Sequence, residues 1–221
     1  MSLIEKMSVK IGRNAKLFLN VDEDKEQIIV YGAINLLQTI FAISWVIIAG
    51  LFFGVLYEAL LFSITVSILR KYSGGAHASS PSHCIIIGTI LAVASGIFID
   101  KIFFKINILT AILISTACIV FAFIIVAKNA PVDSAKKPIT NIELKKQFKK
   151  KSIIVLFIFS LIITILYALS TKYSALYYIK FIESIILGVL WQTITLTKSG
   201  TIFLSKVDFF LEHIYRKGQT L

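Results

Sequence analysis

The chain has 221 residues, 57% of them apolar and only 16% charged, with a mean hydropathy of +0.86. Water-soluble domains carry about 45–50% apolar and about 25% charged residues, so disorder is excluded and a soluble globule fits badly. The charge is lopsided, 23 Lys+Arg against 12 Asp+Glu for a net +11; a soluble protein with that balance suggests nucleic acid, whereas a membrane protein uses it to mark topology.

The first 27 residues carry five basic and five acidic side chains and lack the apolar core of a cleavable signal peptide. Within them Leu3, Ile4, Met7, Ile11, Ala15 and Phe18 recur at helical spacing, while Lys6, Lys10, Arg13 and Lys16 occupy the other surface. This predicts an amphipathic helix lying in the interface of an anionic membrane; packing on the membrane domain is the competing reading. Ile28 to Leu69 contains no Lys or Arg and one acid, Glu58. A span takes about 20 residues, so this run predicts two helices with a turn near Gly50 to Gly54. Further spans follow at Cys84 to Ile99, Ile106 to Ala127, Ser152 to Ser170 and Tyr177 to Thr197. Polar segments 70–83 and 128–151 separate them, and residues 198–221 form a second amphipathic segment. The fold predicted is all-α: a polytopic membrane protein of about six transmembrane helices, residues 28–197, with amphipathic interfacial segments at 1–27 and 198–221.

Six spans make the charge informative. Nineteen of the 23 basic residues then fall on the side of the two termini and of loops 70–83 and 128–151, leaving Lys101, Lys105, Lys172 and Lys180 opposite. The positive-inside rule puts both termini in the cytoplasm of a multi-pass cell-membrane protein. Lipid replaces nucleic acid as the expected partner.

The chemistry is concentrated in RKYSGGAHASSPSHC, residues 70–84. Cys84 and His77 are the minimum for thiol catalysis, the thiolate as nucleophile and the imidazole as proton carrier. Seven residues of unbroken helix would hold them about 10 Å apart, so a fold-back is required, and Gly74, Gly75 and Pro81 permit one. A thiol at the start of a span sits at the positive end of the helix dipole, which favours thiolate. His83 reads either as a polar boundary residue or as a second acid/base. A coincidental Cys–His pair at a membrane edge is the bland alternative. The spacing lacks any zinc motif, so no metal and no cofactor are expected. Cys118, inside LISTACIVFAF, reads as a small hydrophobe.

Arg70, Lys71, Tyr72, Gly74, Gly75, Ala76, His77 and Cys84, together with APVDSAKKPI at 130–139, resemble the accessory gene regulator protein B (AgrB) family of bacterial membrane cysteine endopeptidases. The resemblance implies a quorum-sensing propeptide, AgrD, as substrate and partner. It implies Cys84 as nucleophile and His77 as base, release of an acidic carboxyl-terminal tail from an acyl-enzyme, and closure of a thiolactone or lactone ring. Homodimers are implied by the resemblance alone. Arg70, Lys71, Lys136 and Lys137 are candidate contacts for the acidic tail or plain topology markers; Gly74 and Gly75 shape the loop or offer amides to an oxyanion. Glu58 and Glu183 are ionisable groups within apolar runs and suit a rival reading, a small peptide exporter without protease activity. Glu58 lies about 18 Å along a helix from Arg70, which argues against it as a third catalytic group, and Glu183 falls near the opposite membrane face.

Overall fold

Ser2 and Glu5 open the first helix reciprocally. The Ser2 hydroxyl accepts from the Glu5 amide at 3.3 Å and the Glu5 carboxylate accepts from the Ser2 amide at 2.7 Å, a capping box. The computed structural model describes residues 2–103, 106–133, 141–173 and 176–219, the last five by backbone alone. Helix α1 (Leu3–Leu19) ends at Asn20 in the left-handed conformation, and Asp22 caps α2 (Glu23–Phe52) by accepting from the Lys25 amide at 2.8 Å. Lys16 reaches back across this corner to Glu26 at 2.9 Å and Glu23 at 3.6 Å. Its pKa is raised, chiefly by the hydrogen bond to Glu26.

The face of α1 that packs against the body is Ile4, Ser8 and Gly12. Leu3, Met7, Ile11 and Phe18 stay exposed. A narrow strip of one isoleucine and two small residues therefore makes the protein contact, and the apolar stripe beside it points away.

Phe53 to Val55, with Gly54 at φ 70°, turn the chain between α2 and α3 (Leu56–Ser73). Then come α4 (Pro81–Lys101), α5 (Ile108–Asn129), α6 (Ile142–Tyr173), α7 (Leu176–Ile194) and α8 (Lys198–Gln219). All six expected spans form as helices α2 to α7, and no strand forms among the described residues, so the protein is all-α. By length and composition α2, α4, α5 and α6 each suffice to cross a membrane, and α7 does so only together with α8 across a 92° bend. On those grounds four to five segments qualify unaided, and α3, with Glu58, Arg70 and Lys71 within its 18 residues, falls short alone but runs through the bundle packed between α4 and α7.

Segment 142–151, expected as loop, is helix: Asn141 accepts from the Glu143 and Leu144 amides at 2.8 and 3.3 Å and starts α6 there. The core lies around α3 and α7. One cluster joins Leu69 of α3, Ala122 and Val126 of α5, Leu156, Phe159 and Ile163 of α6, and Ile182, Ile186 and Val189 of α7. A second cluster joins Val46 of α2, Ala59 and Phe62 of α3, and Ala92 of α4. Helix α5 is the reverse case. Its most apolar stretch has a mean hydropathy of 2.8, yet only 17% of it is buried. Apolar surface on that scale calls for lipid as solvent.

Candidate active site

Ser73 is the last residue of α3, and the chain then passes through Gly74 at φ 65° and Gly75 at φ 132°. Side chains rarely adopt such conformations, and space forbids them as well. A Cβ on Gly74 would lie 2.1 Å from the Val132 carbonyl oxygen, and one on Gly75 would lie 2.8 Å from Thr195 Oγ1. The loop 74–80 is pinned by backbone on two sides. The Val132 amide donates to the Ser73 carbonyl at 2.9 Å, the Gly75 amide to the Val132 carbonyl at 3.3 Å, and the Ala76 amide to the Thr195 carbonyl at 3.2 Å. Side chains complete the frame. Gln192 Nε2 donates to Ser73 Oγ at 3.0 Å and to the Gly74 carbonyl at 2.7 Å. The Arg70 guanidinium donates to the Ala76 carbonyl. Asn129 Nδ2 donates to the Leu196 carbonyl at 2.9 Å, tying the end of α5 to the α7–α8 corner.

His77 is exposed on this loop. Cys84 is half-buried in the first turn of α4, its amide donating to the Ser80 carbonyl at 3.2 Å. Ser80 caps that helix by accepting from the His83 amide at 3.2 Å, and Pro81 fills the first helical position, where a missing N–H costs nothing. Arg70, at the end of α3, stands within Coulombic reach of Cys84. His77, Cys84, Arg70 and both glycines therefore gather at one end of the bundle.

His83 has a partner that the sequence does not announce. Its Nδ1 lies 2.6 Å from Asp208 Oδ1 on α8, with both side chains 15% exposed. Asp208 also accepts from the Ser79 amide at 2.9 Å and from Ser79 Oγ at 3.1 Å. Burial by itself pushes the Asp208 carboxyl up, but the hydrogen bonds from His83 and Ser79 outweigh it and hold its pKa below the ordinary value. A basic group flanks the same end: the Lys71 and Lys151 ammonium groups lie 5.6 and 5.9 Å from the Tyr72 ring centre. Lys136 and Lys137 lie outside the described residues.

Comparison with known proteins fits this arrangement. The family described as accessory gene regulator B matches residues 4–196. The chain belongs to that family. A protein of Clostridium perfringens strain SM101 named AgrB-like is 40% identical over 211 residues, 94% of this chain and 98% of its own length. An AgrB-like protein 2 of strain 13 of the same species is 39% identical over the same shares. No solved structure matches. Accessory gene regulator B membership implies an AgrD-like propeptide as partner in a quorum-sensing system, and with the apolar helices it makes this a multi-pass membrane protein.

The other polar residues fall elsewhere in this member of the family. Lys180 of α7 bonds Asp100 of α4 at 2.6 Å and approaches Glu58 of α3 at 3.8 Å, at the end of the bundle opposite Cys84. An open cleft of about 440 Å³, lined by Tyr57, Glu58, Leu176, Tyr177, Lys180 and Phe181, adjoins that cluster. Glu183 is 2% exposed, and neither carboxylate oxygen has a hydrogen-bond partner among the described residues. Cys118 packs against the core beside α6 and α7, and His213 is exposed on α8. Gln192, Asn129 and Asp208 are the site-framing residues the sequence reading passed over. Gln192 carried a usable signal, a carboxamide inside an apolar run; Asp208, one of two acids in a basic amphipathic tail, carried none.

Proposed function

We propose that the protein is a cysteine endopeptidase that removes the carboxyl-terminal tail of an AgrD-like propeptide and promotes its cyclisation. The single observation that supports it is the frame around loop 74–80, which holds the loop carrying His77 at the same end of the bundle as the first turn of α4, where Cys84 lies. In this reading His77 accepts the Cys84 proton and the thiolate attacks the scissile carbonyl. The carbon–nitrogen bond breaks, the amine leaves with the proton returned by the imidazolium, and a thioester remains on Cys84. A thiol of the propeptide then attacks that thioester, forming the ring and releasing the Cys84 thiolate. One thioester replaces another, so no ATP is needed, provided water is kept from the intermediate. Arg70, Lys71 and Lys151 offer positive charge to an acidic tail, as would Lys136 and Lys137. Gly74 and Gly75 serve the loop conformation. The same reading puts both termini, the loop 74–80 and the basic start of α6 on the cytoplasmic side.

The test co-expresses the protein with an AgrD-like propeptide and follows cleavage by mass spectrometry. Cys84→Ala and His77→Ala each abolish cleavage while protein levels in the membrane are unchanged, and a peptide mass is trapped on Cys84 of the active protein. Cleavage retained in Cys84→Ala overturns the proposal.

A further inference from the structure

The segment from His77 to Cys84 is short, and one carboxylate from a distant helix grips it near both ends. Asp208 binds Ser79, two residues after His77, through both the amide and the hydroxyl, and binds His83, immediately before Cys84, through Nδ1. Ser79 Oγ and His83 Nδ1 are themselves 3.5 Å apart, so the three groups close a compact cluster. The contact joins residues 125 and 129 positions apart in sequence. It also accounts for how an amphipathic helix that leaves α7 at 92° docks on the loop. The matched family region ends at residue 196, so the group that makes the grip lies beyond it.

We propose that Asp208 is the positioning residue of the site. It fixes the separation of His77 and Cys84 by clamping the loop at Ser79 and the α4 start at His83, and His83 acts as the donor that receives the clamp. The proposal rests on the reading of His77 as base and Cys84 as nucleophile. The role follows from the geometry. A carboxylate accepts all three bonds at once, and each donor is fixed to backbone within two residues of a reacting group. His83 faces Asp208 through Nδ1, and side chains adjacent on a helix do not face each other, so His83 is turned to α8 and not to Cys84. Misplacement of a reacting group by about 1 Å costs about a hundredfold in rate, so a loosened clamp shows in chemistry before it shows in folding.

The experiment uses the full chain in liposomes. It measures the rate at which iodoacetamide alkylates Cys84, read by peptide mass spectrometry across pH, in parallel with cleavage of a co-expressed AgrD-like propeptide. His77→Ala sets the unactivated rate. Asp208→Ala and His83→Ala are expected to lower both alkylation and cleavage about tenfold to a hundredfold, with the pH profile of alkylation collapsing toward that of His77→Ala. His83→Asn puts an amide N–H where Nδ1 stood and is expected to restore the rate to within about threefold of the parent, as a donor role requires. If Asp208→Ala does not fold, the His83→Ala and His83→Asn pair carries the test, because it leaves Asp208 bound to Ser79. Unchanged or faster alkylation in Asp208→Ala overturns the proposal, and so does His83→Asn as slow as His83→Ala, which would make the imidazole itself the reacting group. Failure of the underlying function looks different: Cys84→Ala still cleaves, or His77→Ala leaves alkylation unaffected.

Discussion

The two ends of the helix bundle solve the problem of buried polarity in opposite ways. At the Cys84 end, neutral backbone groups of a loop are met one by one by Val132, Thr195, Gln192 and Arg70, and two glycines take conformations that nothing larger could occupy. At the far end, full charges meet: Lys180 and Lys101 together balance Asp100 and Glu58 beside an open cleft. Hydrogen bonds with fixed directions specify atomic positions, whereas ion pairs tolerate angular slack and mainly offset charge. The first end is built for geometry and the second for neutrality. A polar network at one end of a membrane bundle therefore indicates chemistry only when it is directional.

That contrast can be broken most sharply at Gly74. Gly74→Ala forces a Cβ against Val132 in a conformation that costs about 1–3 kcal/mol even without the clash. Propeptide cleavage is expected to fall by about a hundredfold or more. A Gly74→Ala protein that cleaves at the parental rate would show that the loop does not need this shape. Gln192→Leu comes next. It leaves Ser73 Oγ and the Gly74 carbonyl without that donor, about 1–3 kcal/mol, and is expected to slow cleavage about tenfold. Lys180→Met attacks the other end. It should lower thermal stability in detergent by about 1 kcal/mol, between the exposed and the buried limits for an ion pair. Cleavage should stay within about twofold, because distant sites act independently.

The smallest effect is expected from pH. The Asp208 carboxyl titrates below its ordinary value in the folded protein. The stability it contributes is therefore complete above that ordinary value, and is lost as pH falls through the folded one. Protease accessibility of α8 in liposomes should rise in that acidic window and not above it, and His83→Ala should shift the onset upward.

Much of the fold was legible because apolar runs and charge gaps are counted in residues. The 42 residues from Ile28 to Leu69 had to make two helices, and the turn falls at Gly54 within the expected stretch. The loop was legible because Gly74 and Gly75 can be recognised as turn formers without knowing their neighbours. The segment 142–151 was not, because LKKQFKKK has the composition of a loop. The Asn141 cap and the Glu143 that follows were the available sign, and helix propensity of Lys and Gln did the rest. Asp208 was illegible for a different reason. Its meaning depends on a 92° turn between α7 and α8, and no periodicity encodes where such a turn will deliver a side chain.

Helix α6 has a mechanical consequence. Its 32 residues make a rod about 48 Å long, while the hydrocarbon layer is about 30 Å thick. About a dozen residues must project beyond it, and the amino-terminal stretch of α6 is the one that carries Lys145, Lys146, Lys149, Lys150 and Lys151. These ammonium groups thus stand on a rigid mast rather than a tether. Their height above the lipid and their rotational phase are set by the packing of Val155, Leu156 and Phe159, from one turn further along the same rod. An acidic strand approaching that end would meet charge held at fixed heights rather than charge that follows it.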